Sequence, residues 1–579
     1  MRTRRYVSSA LGVLLLVLSS AVFGKGYYVS VDALNPAYVR ALIDAGLLNA
    51  PHGFKWVVEN ADGYKAWPAE ITLTAPSHLS TITCSPPSKH GVVANAFLKD
   101  GVKVSGFATT PSTETFFEAA KRQGLKVSSV AYVGIDGNGP RRSADYGVSY
   151  PDAQFVAPNK TINLEFANQR ETTKVETLHL ILNPKTSESR DVVLQVRTLE
   201  NSSLEITIDE DDNNENGYLA QTKVEVEGLS KPVPLYFIEK DSSSALVGFK
   251  RRVDLTFKNT PNKVVVYVGG SSYNNAHPAS LRELLDKKNI VWPSEFSFAD
   301  EPSLHVEQTG YYNTFLAEAA EVIQENEDTD ADFFYQSVVD STAHSYEGLL
   351  PRPFDPKNTD PITLAYIKAY QIVDQNLSKF LARAKADDVV FVLGDHGMEP
   401  ITKMVNVARA VDNNVDAVPL RDVKLMASGT LILLYPLSNS QGDVDRAERY
   451  GWQLQKALRN LQFEGKPVLG QWYFKNGYKR PWPFHDAVWA FTGAEKFWLV
   501  SRENEQEIFL RPDATGMHGH STNVPSMATG AFLKYPGANL TSDKPYMTAE
   551  ISLLDVIPTF SSLMKISPPK NCTGRSLVD

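Results

Sequence analysis

Cysteine is nearly missing from this chain: 579 residues carry two, Cys84 and Cys572. That excludes a disulfide-knitted scaffold and a cysteine-built zinc ribbon. Whether the two pair is left open, because spacing in sequence does not encode the distance between their Cβ atoms. A basic excess is missing as well. With 58 Lys and Arg against 67 Asp and Glu the formal charge is −9, so no nucleic-acid polymer is expected as a partner. No block of like charge marks a disordered tail, and no internal repeat or low-complexity linker marks an array. Beyond the N-terminus no apolar run is long enough to span a bilayer.

What is present begins with an export pattern. Arg2, Arg4 and Arg5 precede an apolar stretch over residues 10–23, with the small residues Ser19-Ser20-Ala21 after its leucine-rich part. The stretch is short for a spanning helix, so residues 1–24 read as a cleaved signal peptide. The mature chain is then expected to be secreted or periplasmic, with no stable membrane span. Its 42% hydrophobic and 22% charged residues are those of an ordinary globular protein. Its length exceeds one compact core, so further domains or an insertion are expected.

Residues 25–150 alternate strand-like and helical runs: Tyr27-Tyr28-Val29-Ser30-Val31, a helix from Pro36, and a buried strand from Val127. Alternation of this kind predicts a parallel sheet covered on both faces. From 151 to 291 the texture changes to strand-like runs such as Val192-Val193-Leu194-Gln195-Val196, separated by polar turns. A β-rich, cap-like, mostly antiparallel insertion is expected there. Over 292–579 the α/β rhythm resumes. Asp360-Pro361 open a helix whose apolar positions Ile362, Tyr366, Ala369, Val373, Leu377 and Phe380 share one face. Val389-Val390-Phe391-Val392-Leu393, with no polar alternation, reads as a central strand. The expected fold class is therefore α/β, a mostly parallel central sheet sandwiched by helices, with an inserted β-rich domain.

Four short segments carry chemistry-bearing side chains at predicted strand ends. They are Val29-Ser30-Val31-Asp32; Thr74-Ala75-Pro76-Ser77-His78; Asp340-Ser341-Thr342-Ala343-His344 with Gly394-Asp395-His396-Gly397; and Gly516-Met517-His518-Gly519. Each has an ordinary structural reading. Asp32 could cap the helix beginning near Asn35, Thr74 could cap the one containing Pro76, and a lone histidine is as often structural as a ligand. Together Asp32, Asp340, Asp395, His344, His396, His518 and Thr74 supply three carboxylates, three imidazoles and a hydroxyl. That is a ligand set for two adjacent divalent cations. His78, His90 and His520 lie near the segments with no assigned partner.

Thr74-Ala75-Pro76-Ser77-His78 with His90-Gly91-Val92-Val93-Ala94-Asn95 resembles the nucleophile region of the alkaline phosphatase superfamily, in its type I phosphodiesterase/nucleotide pyrophosphatase branch. The tail, Ser552-Leu553-Leu554-Asp555-Val556-Ile557-Pro558-Thr559 with Gly574-Arg575-Ser576-Leu577, is similar to the family's end, so the likeness covers both α/β portions and leaves out the insertion. The resemblance implies a covalent nucleophile at Thr74 and a phosphoryl hydrogen bond from Asn95. It implies one zinc ion on Asp340, His344 and His518, and a second on Asp32, Asp395, His396 and the Thr74 oxygen. It further implies hydrolysis of a small phosphate ester or nucleotide at a phosphodiester or pyrophosphate bond. The chain departs from the branch at Ser77, where asparagine is usual, and at Ala343, where glycine is usual.

Threonine-using phosphomonoesterases of the superfamily carry a Lys-X-Arg pair. The matching stretch here, Ala131-Tyr132-Val133-Gly134-Ile135-Asp136, has no lysine, which favours a diester over a monoester, with Arg141 and Arg142 keeping an alkaline phosphomonoesterase open. Cys84-Ser85-Pro86-Pro87-Ser88 is similar to a sulfatase signature but lacks its serine and arginine positions. A reading of another class is an inactive binding scaffold of the same fold, against which the full set of seven candidate ligands stands.

Overall fold

The computed structural model describes residues 24–149, 160–166, 173–183, 188–198, 204–210, 221–224, 231–239, 249–260, 263–294, 301–411, 418–538 and 546–578. The export-signal reading rests on residues 1–23, outside this set.

Nine strands make the central sheet: β1 (Gly26–Val31), β2 (Asp62–Trp67), β3 (Val127–Val130), β4 (Tyr146–Val148), β5 (Ala276–His277), β6 (Ala331–Gln336), β7 (Val389–Leu393), β8 (Thr529–Lys534) and β9 (Ala549–Ser552), in the spatial order 5-4-3-6-1-7-8-2-9. All run parallel except β5 and β8. Strands β1, β6 and β7 are buried along their whole length, as their unbroken apolar runs require when both faces are covered. Successive residues of β1 serve opposite faces. Tyr27 meets Phe380 at 5.8 Å between ring centroids, while Tyr28 stacks on Phe333 at 4.6 Å.

The helices that matter for the site are α1 (Pro36–Asp44), α2 (Thr74–Thr83), α3 (Pro302–Asn326), α4 (Val338–Tyr346), α5 (Pro361–Phe380) and α6 (Val556–Leu563). Helix α5 starts as its sequence predicts: Asp360 accepts hydrogen bonds from the Ile362 and Thr363 amides, and proline takes the first turn. Register then sets the site. Val31 of β1 pairs with Gln336 of β6, and Ser30 pairs with Leu393 of β7, so three strands end level and release the chain into one crevice.

Within residues 160–268 two antiparallel sheets share one core, with Leu178, Leu180, Leu194 and Ile206 on one side and Leu235, Phe237, Leu255 and Val266 on the other. Past this sandwich, Trp292 packs against Tyr312 and Phe315 of α3 at 5.0 and 5.1 Å. Residues 423–493 also depart from α/β alternation. Four of their strands form an antiparallel sheet backed by the helix Gln441–Asn460. Strand–helix–strand signals are the same in either arrangement, because strand direction is decided by tertiary pairing.

Cys84 and Cys572 are joined as a disulfide. Cys84 is the C-cap of α2, and its carbonyl accepts from the Thr573 amide at 2.7 Å, so the C-terminal segment is stapled to the helix that begins at Thr74. Replacing both cysteines by serine is expected to cost about 2–5 kcal/mol, read as a lower urea midpoint that added reductant reproduces in the unmutated chain.

Candidate metal centre

Asp32 follows β1 directly and is buried. It does not cap α1. That role falls to Asn35, whose Oδ1 accepts from the Ala37 and Tyr38 amides. The next residue, Ala33, sits in the left-handed region at φ 57°, a conformation uncommon for a residue with a Cβ, and aims its amide at Asp395 Oδ1 3.4 Å away. Helix α4 carries Asp340 and His344 one turn apart, with His344 Nε2 3.5 Å from Asp340 Oδ2. Asp395 and His396 leave the end of β7. Gly516 permits the last approach, since a Cβ there would lie 2.2 Å from the Ala343 carbonyl.

Two donor groups result. In one, atoms of Asp340, His344 and His518 lie within 4.8 Å of one another; in the other, atoms of Asp32, Asp340 and His396 do. Asp340 belongs to both. Asp395 Oδ2 stands 3.2 Å from His396 Nε2, alongside the second group. All three imidazoles are oriented alike. His344 Nδ1 donates to the Gly516 carbonyl, His518 Nδ1 to that of Thr72 and His396 Nδ1 to that of Gly397, at 2.9, 3.0 and 3.1 Å. Each Nδ1 therefore keeps the proton, and each Nε2 turns a lone pair inward.

Three carboxylates crowd the centre. Asp32 Oδ1, Asp340 Oδ1 and Asp395 Oδ2 are buried without a hydrogen-bond partner. Burial and the neighbouring carboxylates push Asp32 well above the ordinary carboxylate range, and burial raises Asp340 and Asp395 too. The histidines do not offset this. His396 and His518 stack at 3.8 Å, and burial holds both far below the ordinary imidazole range, hence neutral. Orphaned carboxylate oxygens facing imidazole lone pairs fit divalent cations.

Thr74 is the first residue of α2, and Leu73 is the cap. Its hydroxyl does not cap the helix but lies 3.2 Å from His396 Nε2. Asn95 Oδ1 accepts from the Ala75 amide at 2.9 Å, which leaves its NH2 end for the cavity it lines. Of the other histidines near these segments, His78 bonds to Ser30 Oγ and through Nδ1 to the Thr74 carbonyl, with that Nδ1 also 3.3 Å from Asp395 Oδ2, while His90 bonds to Ser80 Oγ and His520 to the Phe497 carbonyl. Arg141 donates to the Pro111 and Ser112 carbonyls and to Glu118, and Arg142 to the Ala108 carbonyl and Asp136.

Two features carry no sequence signal. Tyr335 donates to Asp32 Oδ2 at 2.6 Å and so fixes that carboxylate with its other oxygen free for the centre. Helix α3 supplies His305, Gln308, Thr309 and Tyr312 to the wall of a cavity of about 450 Å³ above Thr74, Asp340 and His518. Among the described residues no lysine or arginine lines it. A larger cavity, about 750 Å³, opens beside Glu347 and Glu399 and is lined by none of the residues of the two donor groups. Its acidic groups are already paired, Glu347 with Arg352, Tyr38 and Tyr366, and Glu399 with Ser526.

A family model, "Type I phosphodiesterase / nucleotide pyrophosphatase", matches residues 28–521. No curated protein sequence matches the chain. Among solved structures the chain is similar to murine ectonucleotide pyrophosphatase/phosphodiesterase 5, at 13% identity over 94% of this chain and 96% of that one, with a TM-score of 0.49. It is also similar to phosphonoacetate hydrolase from Sinorhizobium meliloti 1021 in complex with phosphonoacetate, at 14% identity over 94% and 95%, with a TM-score of 0.50. At that identity the second likeness is one of fold.

Proposed function

The chain belongs to the type I phosphodiesterase/nucleotide pyrophosphatase family, and on that premise we propose that it hydrolyses phosphodiester or pyrophosphate bonds through a phosphothreonine at Thr74. The observation that carries this reading is the Thr74 hydroxyl, set 3.2 Å from His396 Nε2 amid buried carboxylate oxygens that lack partners. Asp340, His344 and His518 would hold one divalent ion, and Asp32, Asp395 and His396 with the Thr74 oxygen a second. Zinc suits this mixture of imidazole and carboxylate donors. Bound there, such ions supply positive charge to phosphoryl oxygens and lower the pKa of a coordinated hydroxyl.

The chain's own residues do the rest. Thr74 Oγ1 attacks phosphorus in line, forming the Oγ1–P bond as the bond to the leaving oxygen breaks. The Asn95 NH2 donates to a non-bridging oxygen, and the positive end of α2 faces the same charge. The proton that Thr74 gave up departs with the leaving oxygen; water then attacks phosphorus, the Oγ1–P bond breaks, and Oγ1 takes a proton from that water as the phosphate monoester leaves. The basic and apolar pattern of residues 1–24, together with a disulfide, supports a secreted or periplasmic location. Among the described residues no helix is long and apolar enough to cross a membrane. We assign residues 151–291 to an inserted domain between the two core portions 25–150 and 292–579.

A diester fits better than a monoester. The second negative charge of a monoester finds no lysine or arginine in the cavity wall, and Arg141 and Arg142 are spent on carbonyls and carboxylates. A missing charge-assisted contact is worth about 10- to 100-fold. The zinc-loaded protein is therefore expected to show at least about tenfold higher kcat/KM on bis-p-nitrophenyl phosphate than on p-nitrophenyl phosphate. Higher kcat/KM on the monoester would overturn the diester reading.

A further inference from the structure

We propose that His305 and Gln308 form a subsite for a neutral, hydroxyl-bearing leaving alcohol, an inference that rests on the phosphodiester reading above. His305, Gln308, Thr309 and Tyr312 lie at i, i+3, i+4 and i+7 on α3, so a single face of the helix makes this wall of the cavity. His305 and Gln308 are each 6% exposed, yet each has a buried nitrogen without a hydrogen-bond partner, Nδ1 and Nε2 respectively. Buried polar atoms in folded proteins are almost always paired, and exceptions concentrate where a ligand completes them.

The two orphans are complementary. His305 Nε2 lies 3.1 Å from the Ser341 carbonyl, which can only accept, so Nε2 carries the proton and Nδ1 offers a lone pair. Gln308 offers N–H donors. One acceptor and one donor on the same helix face suit hydroxyl groups, which do both. The position suits a leaving group as well. His305 is anchored to Ser341 and Ser345, which flank His344 in sequence, with Ser345 Oγ 3.5 Å from its Nε2. With Thr74 beside His396, a leaving oxygen that departed toward the Asp340, His344 and His518 group would lie in the part of the cavity that His305 and His344 both line. Among the described residues of the lining there is no lysine or arginine, which argues that this alcohol is uncharged rather than a pyrophosphate, and Phe107 and Tyr312 offer cover for its carbon skeleton. Tyr312 is itself braced by Trp292.

The test compares bis-glyceryl phosphate with diethyl phosphate, following product release by phosphorus NMR on zinc-loaded protein, with bis-p-nitrophenyl phosphate as a common reference. In Gln308→Met the ratio of kcat/KM for the glyceryl over the ethyl diester is expected to fall about tenfold, the usual size of one lost hydrogen bond. Its melting temperature is expected to hold or rise, because the substitution removes a buried unpaired amide. Gln308→Glu, which keeps the shape and removes the donor, is expected to lower the ratio likewise. An unchanged ratio with an active reference reaction would overturn the subsite and leave the phosphodiesterase reading standing. A lower melting temperature with equal loss on both diesters would assign Gln308 to structure alone. No turnover of any diester by the unmutated protein would remove the reading on which the subsite rests.

Discussion

Thr74→Ala is expected to lower kcat on bis-p-nitrophenyl phosphate by about 10⁴-fold or more, the scale seen when a covalent nucleophile is deleted. The side chain is buried at the first position of α2, and Leu73, not Thr74, is the cap, so losing the hydroxyl should leave the helix in place. The hydrogen bond of Thr74 Oγ1 goes to His396, not to Asp340, His344 or His518, and zinc bound through those three should persist in the variant. That separates a chemical loss from a collapse of the centre: metal content close to the unmutated protein, with turnover gone. Thr74→Ser should retain a measurable fraction, because it keeps the oxygen. Quenching the unmutated enzyme during turnover and mapping the modified peptide should find a p-nitrophenylphosphoryl group on Thr74. Residual activity of Thr74→Ala within about tenfold of the unmutated enzyme would exclude the covalent route and leave direct attack by water.

How much of this was legible beforehand differs by element. Helix α5 and strand β7 were readable because their signals are local: a cap with proline at the first turn, and five apolar residues in a row. Asp340 and His344 on one helical turn were readable for the same reason. The Cys84–Cys572 bond was not, because it closes residues 488 apart and only the folded chain brings their Cα atoms to 4.8 Å. Thr74 and Asp32 each carried a capping alternative that only three-dimensional structure removes, by showing Leu73 and Asn35 in those places. Tyr335, His305 and Gln308 sit in no motif. Their relevance comes from strand register and helix packing, which place a tyrosine of β6 against Asp32 and one face of α3 above the crevice. The antiparallel sheet of residues 423–493 escaped notice because its local pattern is that of an α/β unit.

Asp340 should be the most sensitive ligand, for a reason that sequence alone hides. It belongs to both donor groups, whereas His344 belongs to one and Asp32 to the other. Asp340→Asn is therefore expected to lower bound zinc by more than one ion per chain, while His344→Ala lowers it by about one. Stability should move in opposite directions with and without metal. In the metal-free chain the part-buried Asp340 crowds the buried Asp32 and Asp395, and its charge raises the pKa of both. Neutralising it removes like-charge repulsion, so in chelator Asp340→Asn should melt above the unmutated protein. In zinc the order should reverse. A site saturated at one hundred times its dissociation constant adds about 2.7 kcal/mol to the folded state, and the variant forgoes that gain at both groups. Thermal melts of the two proteins in EDTA and in zinc, with metal content measured on the same samples, decide the matter. Crossing curves would establish that the three carboxylates are held together by bound cations. Parallel curves, with EDTA leaving the unmutated protein's melting temperature unmoved, would show that the carboxylates need no metal and that the orphaned oxygens require another partner.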